Sequence, residues 1–175
     1  MAKYLMIYST TDGHTHTIAT RIGDTIRQRQ HEVDVLPLRE HPDIDIAPYD
    51  TVILGASIRY GKHQKEVFDF IERNLDRLEE KNNAFFTVNI VARKPHKNRP
   101  DTNPYMQKFL QQTRWRPKDL EVFAGRLDYP SINWRDRQII RFIMWMTKGP
   151  TAPDTVVEYT DWDNVDAFAR RLAGS

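Results

Sequence analysis

Lys3-Tyr4-Leu5-Met6-Ile7-Tyr8, running into Ser9-Thr10-Thr11-Asp12-Gly13-His14-Thr15, is the stretch that decides the fold. A buried strand passes into a turn of hydroxyl groups and one glycine. An amphipathic helix follows, with Ile18, Ile22 and Ile26 stacked on one face. An α/β protein builds a phosphate cradle in this way, with backbone N–H groups at a helix N-terminus facing the anion. The turn has neither the Gly-x-x-x-x-Gly-Lys run of a triphosphate site nor the Gly-x-Gly-x-x-Gly fingerprint that holds a pyrophosphate. What remains suits a single phosphate, and flavin mononucleotide (FMN) leads the candidates. The same residues also suit an ordinary helix N-cap.

Outward from this stretch, the rhythm of a doubly wound sheet continues. The spacing predicts a helix over 15–29 and a strand over 32–38 in which Val33 and Val35 alternate with charges. Thr51-Val52-Ile53-Leu54-Gly55-Ala56-Ser57 reads as a parallel strand covered on both faces. A helix over 64–80 is expected to bury Val67, Phe68, Ile71, Leu75 and Leu78, before a fourth strand over 84–91. After Val91 the rhythm breaks into a long, basic, Pro/Asn-rich loop over 93–104, of the kind kept for function or left mobile. A short helix over 104–112, a fifth strand over 120–127 and a last helix over 161–172 complete the chain. The expected architecture is one α/β domain over 1–175, a doubly wound parallel sheet with helices on both faces. It carries an insertion over 92–118 and an apolar, basic-flanked helix over 133–148.

Composition narrows the chemistry. Without cysteine there is no disulfide, no thiolate nucleophile and no Cys-ligated iron–sulfur cluster, so redox chemistry here requires an organic cofactor. Gly55-Ala56-Ser57-Ile58-Arg59 matches a nucleophile elbow for three residues and ends in Arg where Gly is required. His14-x-His16 has no third ligand nearby, and no metal site is assigned. The start, Met1-Ala2-Lys3-Tyr4, leads straight into a strand, from which no signal peptide is expected.

The formal charge of +2 conceals a division: 93–148 carries 13 Lys/Arg against 5 Asp/Glu, and the remainder 13 against 19. A basic face suits an anionic partner, whether lipid, nucleic acid or a carboxylate-bearing ligand; solvated surface charge is the plain alternative. The run Arg93-Lys94-Pro95-His96-Lys97-Asn98-Arg99 lacks interleaved aromatics, so a small anion is preferred and no nucleic-acid partner is expected. Within 133–148, the eight residues Ile139 to Met146 are apolar almost all round. At about 1.5 Å per residue they cover roughly 12 Å, well short of the ~30 Å hydrocarbon core. Such a helix either lies in a membrane interface or packs into a core.

Ligands of open α/β sheets bind beyond the carboxyl ends of the strands. Three loops meet there: Ser9 to Thr15, Ser57-Ile58-Arg59-Tyr60-Gly61, and Asn89-Ile90-Val91-Ala92-Arg93 with Lys94. An isoalloxazine ring needs apolar or aromatic walls, for which Tyr60 is a candidate, and donors near its N1–C2=O edge. Surface packing is the plain reading of Tyr60.

Ser-Thr-Thr-Asp-Gly-His-Thr at the first loop, Gly55-Ala-Ser-Ile-Arg-Tyr-Gly61, Val88-Asn-Ile-Val-Ala-Arg-Lys-Pro95 and Tyr159-Thr-Asp-Trp162, taken in order over nearly the whole chain, resemble the bacterial menaquinone/ubiquinone-dependent protoporphyrinogen oxidases, flavodoxin-like enzymes of haem biosynthesis. The first motif is shared with flavodoxins generally; the second and third are more specific. The resemblance implies a flavodoxin-like three-layer sandwich with a five-stranded parallel sheet in the order 2-1-3-4-5, and non-covalent FMN, with Thr10 to Thr15 around the phosphate and with Ser57 to Gly61 and Asn89 to Arg93 bordering the ring. It also implies oxidation of protoporphyrinogen IX in three two-electron rounds, flavin N5 accepting hydride and a membrane menaquinone or ubiquinone taking the electrons. Arg93, Lys94, Lys97 and Arg99 are expected to attract the two propionates. The 139–146 helix is expected to dock on an anionic membrane surface, making the protein peripheral to the cytoplasmic face of the inner membrane. No general base is assigned, although Tyr60 and His63 lie near. The rival readings are a soluble flavodoxin-type carrier, which would show an acidic flavin rim, and an NAD(P)H:quinone reductase, which would need a nicotinamide site.

Overall fold

The computed structural model describes every residue except Asp12, Tyr60 and Ser175. Five parallel strands, β1 (Lys3–Ser9), β2 (Glu32–Pro37), β3 (Thr51–Ser57), β4 (Asn82–Asn89) and β5 (Leu120–Ala124), form one sheet in the order β2-β1-β3-β4-β5. Alternation along β1 divides the core. Leu5 and Ile7 face one layer, with α2 (Lys65–Glu80) and α3 (Pro104–Gln112), while Tyr4, Met6 and Tyr8 face the other, with α1 (His14–Arg27) and α5 (Trp162–Leu172). The isoleucine ladder of α1 is fully buried in the second layer. In the first, α2 buries Val67, Phe70, Ile71 and Leu78, whereas Phe68 and Leu75, expected inside, stand at its half-buried margin. Gly55 at the centre of β3 is required by close approach: a Cβ there would lie 2.1 Å from Phe86 Cζ, and Phe86 is fully buried against Phe123 and Phe168.

The structure departs from the sequence reading mainly in its second half. β4 ends at Asn89, not Val91, because the Asn89 side chain accepts a hydrogen bond from Ala92 N at 3.1 Å and caps a 3₁₀ turn over Ile90–Arg93. Within 92–118, read as an insertion, α3 is itself the crossover helix from β4 to β5, burying Met106 and Phe109. The strand expected over 120–127 is two. Gly125 N donates to Asn89 O while Gly125 O accepts from Tyr159 N, so the chain changes partner there. β6 (Arg126–Asp128) then pairs antiparallel with β7 (Val156–Glu158), a strand absent from the sequence reading. Between β6 and β7 stands α4 (Trp134–Met146), over a small cluster of Leu127, Tyr129 and Met144 with Ile90, Ile132 and Ile140. Of α4 itself only Asp136 and Met144 are buried, which rules out the core-helix reading.

Candidate functional site

β1 lies between β2 and β3, and the chain steps from β1 to opposite sides of it, so the switch point falls at the carboxyl ends of β1 and β3. There α1 begins behind Gly13, whose φ of 92° belongs to the left-handed region that glycine enters without strain. Gly13 offers no side-chain cap and the first turn holds no acidic residue, so the positive end of the helix dipole is directed at whatever lies ahead. The described residues leave three buried side-chain polar atoms without a hydrogen-bond partner, and two of them, Thr15 Oγ1 and Ser57 Oγ, stand at this switch point. An orphaned buried hydroxyl costs roughly 1–3 kcal/mol. Two together, at the first turn of α1 and the last residue of β3, mark a place built to receive a polar group.

The other phosphate-loop residues serve the shape of the cradle. Thr10 Oγ1 accepts from Gly13 N at 2.9 Å and closes the turn. Ser9 Oγ is buried against the Glu66 carboxylate at 2.7 Å and the Gln64 carboxamide oxygen, and Gln64 Nε2 donates to Thr11 Oγ1 at 2.9 Å, so the start of α2 straps the loop. His14 faces the β6–β7 side: its Nε2 lies 2.7 Å from Thr160 Oγ1, which itself donates to Ala124 O at 2.7 Å, placing the imidazole proton on Nε2. Asp12 and Tyr60, the proposed phosphate neighbour and ring wall, lie outside the described residues.

Ser57 to Gly61 is held at both ends. Ile58 N donates to Val88 O at 3.1 Å, and Arg59 and Lys62 exchange backbone hydrogen bonds of 2.9 and 3.0 Å around a turn in which Gly61 has φ 75°. The 93–104 segment is also pinned. Asn89 and Asn103 pair through their carboxamides at 3.0 and 3.2 Å, and Asn103, fully buried, caps α3 at Tyr105 N and Met106 N while donating to Lys97 O at 2.8 Å. The sequence reading passed over Asn103, although Asn103-Pro104 is an N-cap followed by Pro at the first helical position.

The four proposed anion-binding cations divide. The Arg93 guanidinium donates to Ile90 O, Thr147 O and Thr147 Oγ1, each at 3.2 Å, so its hydrogen bonds join the β4 loop to the end of α4. Arg99 is exposed and 3.7 Å from Asp101. Lys94 is where positive charge converges: partial burial first, then the charges of Arg93, Lys97 and Lys148, hold its ammonium below the usual lysine range. Lys148, beyond α4, was not on the sequence-based list; only the fold brings it here.

His63 is not a base for the site. It is buried among Phe68, Phe85 and Phe109 with Nε2 2.8 Å from Thr87 Oγ1. Burial, and secondarily Lys108, pushes its pKa down to about 3. The unfolded chain then binds a proton at His63 below pH ~6.5 that the folded chain refuses. The resulting stability is complete above that pH and is lost as pH falls towards 3, at up to about 1.4 kcal/mol per pH unit. In denaturant titrations, His63→Gln is expected to flatten the pH dependence between pH ~6.5 and ~4; an unchanged slope would assign the acid sensitivity elsewhere.

A helix N-terminus behind a left-handed glycine, two orphaned hydroxyls and loops converging at the switch point of a 2-1-3-4-5 sheet define a flavodoxin-type, flavin-binding protein. The flavodoxin-domain family profile matches residues 5–154. The Streptococcus pneumoniae TIGR4 flavodoxin superposes over 99% of both chains with a TM-score of 0.55 at 16% identity, a likeness of fold alone. Two relatives are nearer in sequence, both named protoporphyrinogen IX dehydrogenase (quinone). That of Escherichia coli K12 is 40% identical over 98% of this chain and 94% of its own. That of Leishmania major is 42% identical over 98% of this chain and 74% of its own. The chain belongs to this family of flavodoxin-fold oxidoreductases.

Proposed function

We propose that this protein binds FMN and oxidises protoporphyrinogen IX to protoporphyrin IX, passing the electrons to a menaquinone or ubiquinone while peripherally bound to the cytoplasmic face of the inner membrane. The observation that carries the reading is the pair of orphaned hydroxyls, Thr15 Oγ1 and Ser57 Oγ, on the loops that face the phosphate and the ring. Bound FMN supplies reversible two-electron chemistry that no side chain of this cysteine-free protein supplies. The N–H groups of the first turn of α1 and the Thr15 hydroxyl bind the phosphate, and Gly13 lets the backbone approach it. The loops Ser57 to Gly61 and Asn89 to Arg93 border the ring, stiffened by the Arg59–Lys62 and Asn89–Asn103 pairs. Lys94, Lys97 and Lys148, with Arg99 at the margin, draw in the substrate propionates, and an arriving carboxylate opposes both the desolvation and the neighbouring positive charge that lower Lys94. A carrier that docks through an acidic flavin rim would not place these cations beside the ring loops. Membrane attachment falls to α4, which exposes Trp134, Phe142, Trp145 and Met146 beside Arg135 and Lys148.

The test is an anaerobic absorption titration of the FMN-loaded protein. Protoporphyrinogen IX is expected to bleach the flavin bands and a quinone analogue to restore them; bands unmoved by the porphyrinogen, or bleached by NADPH, would overturn the reading. Replacing Lys94, Lys97 and Lys148 together with Gln is expected to raise KM for the porphyrinogen about tenfold with FMN affinity retained, from ~0.5 kcal/mol per exposed ion pair. An unchanged KM would remove the propionate role.

A further inference from the structure

The two loops assigned to the flavin ring are each tied by an arginine to a different end of α4. At its first turn, Arg59 Nη2 donates to Asp136 Oδ2, and Asp136, at 8% exposure, is the one buried carboxylate among the described residues. Asn133 holds that carboxylate in place: its Nδ2 donates to Asp136 Oδ2 at 3.1 Å and its Oδ1 accepts from Asp136 N at 2.9 Å. Beyond the last turn, Arg93 Nη2 donates to Thr147 O and Oγ1, and Thr147 Oγ1 lies 2.9 Å from Ile143 O, to which it donates. Gly149 completes this end by close approach, since a Cβ there would lie 2.2 Å from Met144 Cε and 3.0 Å from Arg93 Nη2. The other attachments of α4 are a small apolar cluster beneath Ile140 and Met144 and its own Arg137 and Arg141, which donate to Tyr129 O, Ile132 O and Thr151 O. Those bonds tie the helix to the segments that flank it in sequence; the charge-assisted bonds of Arg59 and Arg93 are the ones that join it to the ring-side loops.

We infer that Arg59 and Arg93 are positioning residues: they clamp α4 onto the Ser57–Gly61 and Asn89–Arg93 loops, so that the outer face of the helix and the ring-side loops move as one body. The inference rests on the membrane reading above and adds a coupling to it. Docking on a bilayer restrains α4, and the clamps carry that restraint to the loops. Broken clamps leave a helix that still meets lipid while the loops no longer respond.

The experiment is hydrogen exchange on the FMN-loaded full chain, with and without vesicles of phosphatidylglycerol and phosphatidylethanolamine. In the wild type, vesicles are expected to slow exchange several-fold in 134–146 and, through the clamps, in 57–62 and 89–93. In the Arg59→Gln/Arg93→Gln variant, vesicles are expected to slow exchange in 134–146 alone. Arg59→Lys, which keeps a cation opposite Asp136, is expected to restore part of the response in 57–62, and Asp136→Asn to abolish it there without altering the guanidinium. Protection of α4 with no change in the loops of the wild type would overturn the coupling and leave the membrane reading standing. Absence of protection in α4 itself would overturn both. Loop protection that persists in the double variant would assign the coupling to the other attachments of α4 and overturn the role of Arg59 and Arg93.

Discussion

Thr15→Val is expected to weaken FMN binding roughly 10- to 100-fold while leaving the apoprotein as stable as the wild type or more so. The two effects have one cause. Thr15 is fully buried, with no hydrogen-bond partner for Oγ1, so the apoprotein carries the full desolvation penalty of a hydroxyl. Valine has nearly the same shape and removes that penalty, about 1–3 kcal/mol. Once a phosphate is present, the same hydroxyl donates a hydrogen bond to a charged acceptor, worth about 1.5–3 kcal/mol, and valine forfeits it. Stability and affinity therefore move in opposite directions, a signature that a merely structural threonine would not give. Flavin fluorescence titration reads the affinity and thermal melting without flavin reads the stability. Unchanged affinity would move the phosphate away from the first turn of α1, and lost stability would mean that the hydroxyl has a structural partner.

That this site is legible at all follows from where its signals lie. The strands and the buried helix face are written in local pattern: apolar runs at Thr51–Ser57 and around Ala84–Val88, and the four-residue ladder Ile18, Ile22, Ile26. The cradle is local too, with Gly13, Thr15 and the helix behind them within one short segment. What stayed hidden depends on contacts distant in sequence. The Asn89 cap that ends β4 is held in place by Asn103, 14 positions on, and Lys148 joins Lys94 only because α4 returns the chain to the β4 loop. Arg93 reads as one more cation in a basic run; its commitment to Thr147 spans 54 positions and leaves no trace in spacing. The split of β5 was missed for a similar reason, since Gly125 breaks the strand by pairing with Asn89 on one side and Tyr159 on the other. In α4 the pattern was truly ambiguous, because apolar residues on every face leave the buried face to be chosen by the surroundings.

Those surroundings decide how α4 is to be tested. Ile140 packs onto the small cluster with Leu127, Tyr129 and Met144, so a charge at this position would disturb the fold and say little about lipid. Phe142 and Trp145 are different: 57% and 70% exposed, stacked on one another at 6.2 Å, they line a shallow cleft with Gln138, Arg141 and Thr151. Among the described residues no helix is long and apolar enough to cross a membrane, and α4 at ~1.5 Å per residue is about 20 Å long, suited to lying in the interface. Burying the Phe142 and Trp145 side chains in the acyl boundary is worth roughly 1.5–3 kcal/mol each. Phe142→Glu/Trp145→Glu is therefore expected to lower partitioning onto vesicles containing phosphatidylglycerol at least about 100-fold, since anionic lipid also repels the two new carboxylates. Flavin binding and bleaching by dissolved porphyrinogen should persist, because both side chains are largely exposed on the outer face of α4, whereas turnover with a quinone held in vesicles should fall with the partitioning. Raised salt should weaken the wild type in part only, removing the share due to Arg135 and Lys148 and leaving the apolar share. A folded double variant that sediments with vesicles as the wild type does would take the membrane away from α4. The exposed aromatic pair would then belong to contact with another protein, and the basic rim beside it to the substrate alone.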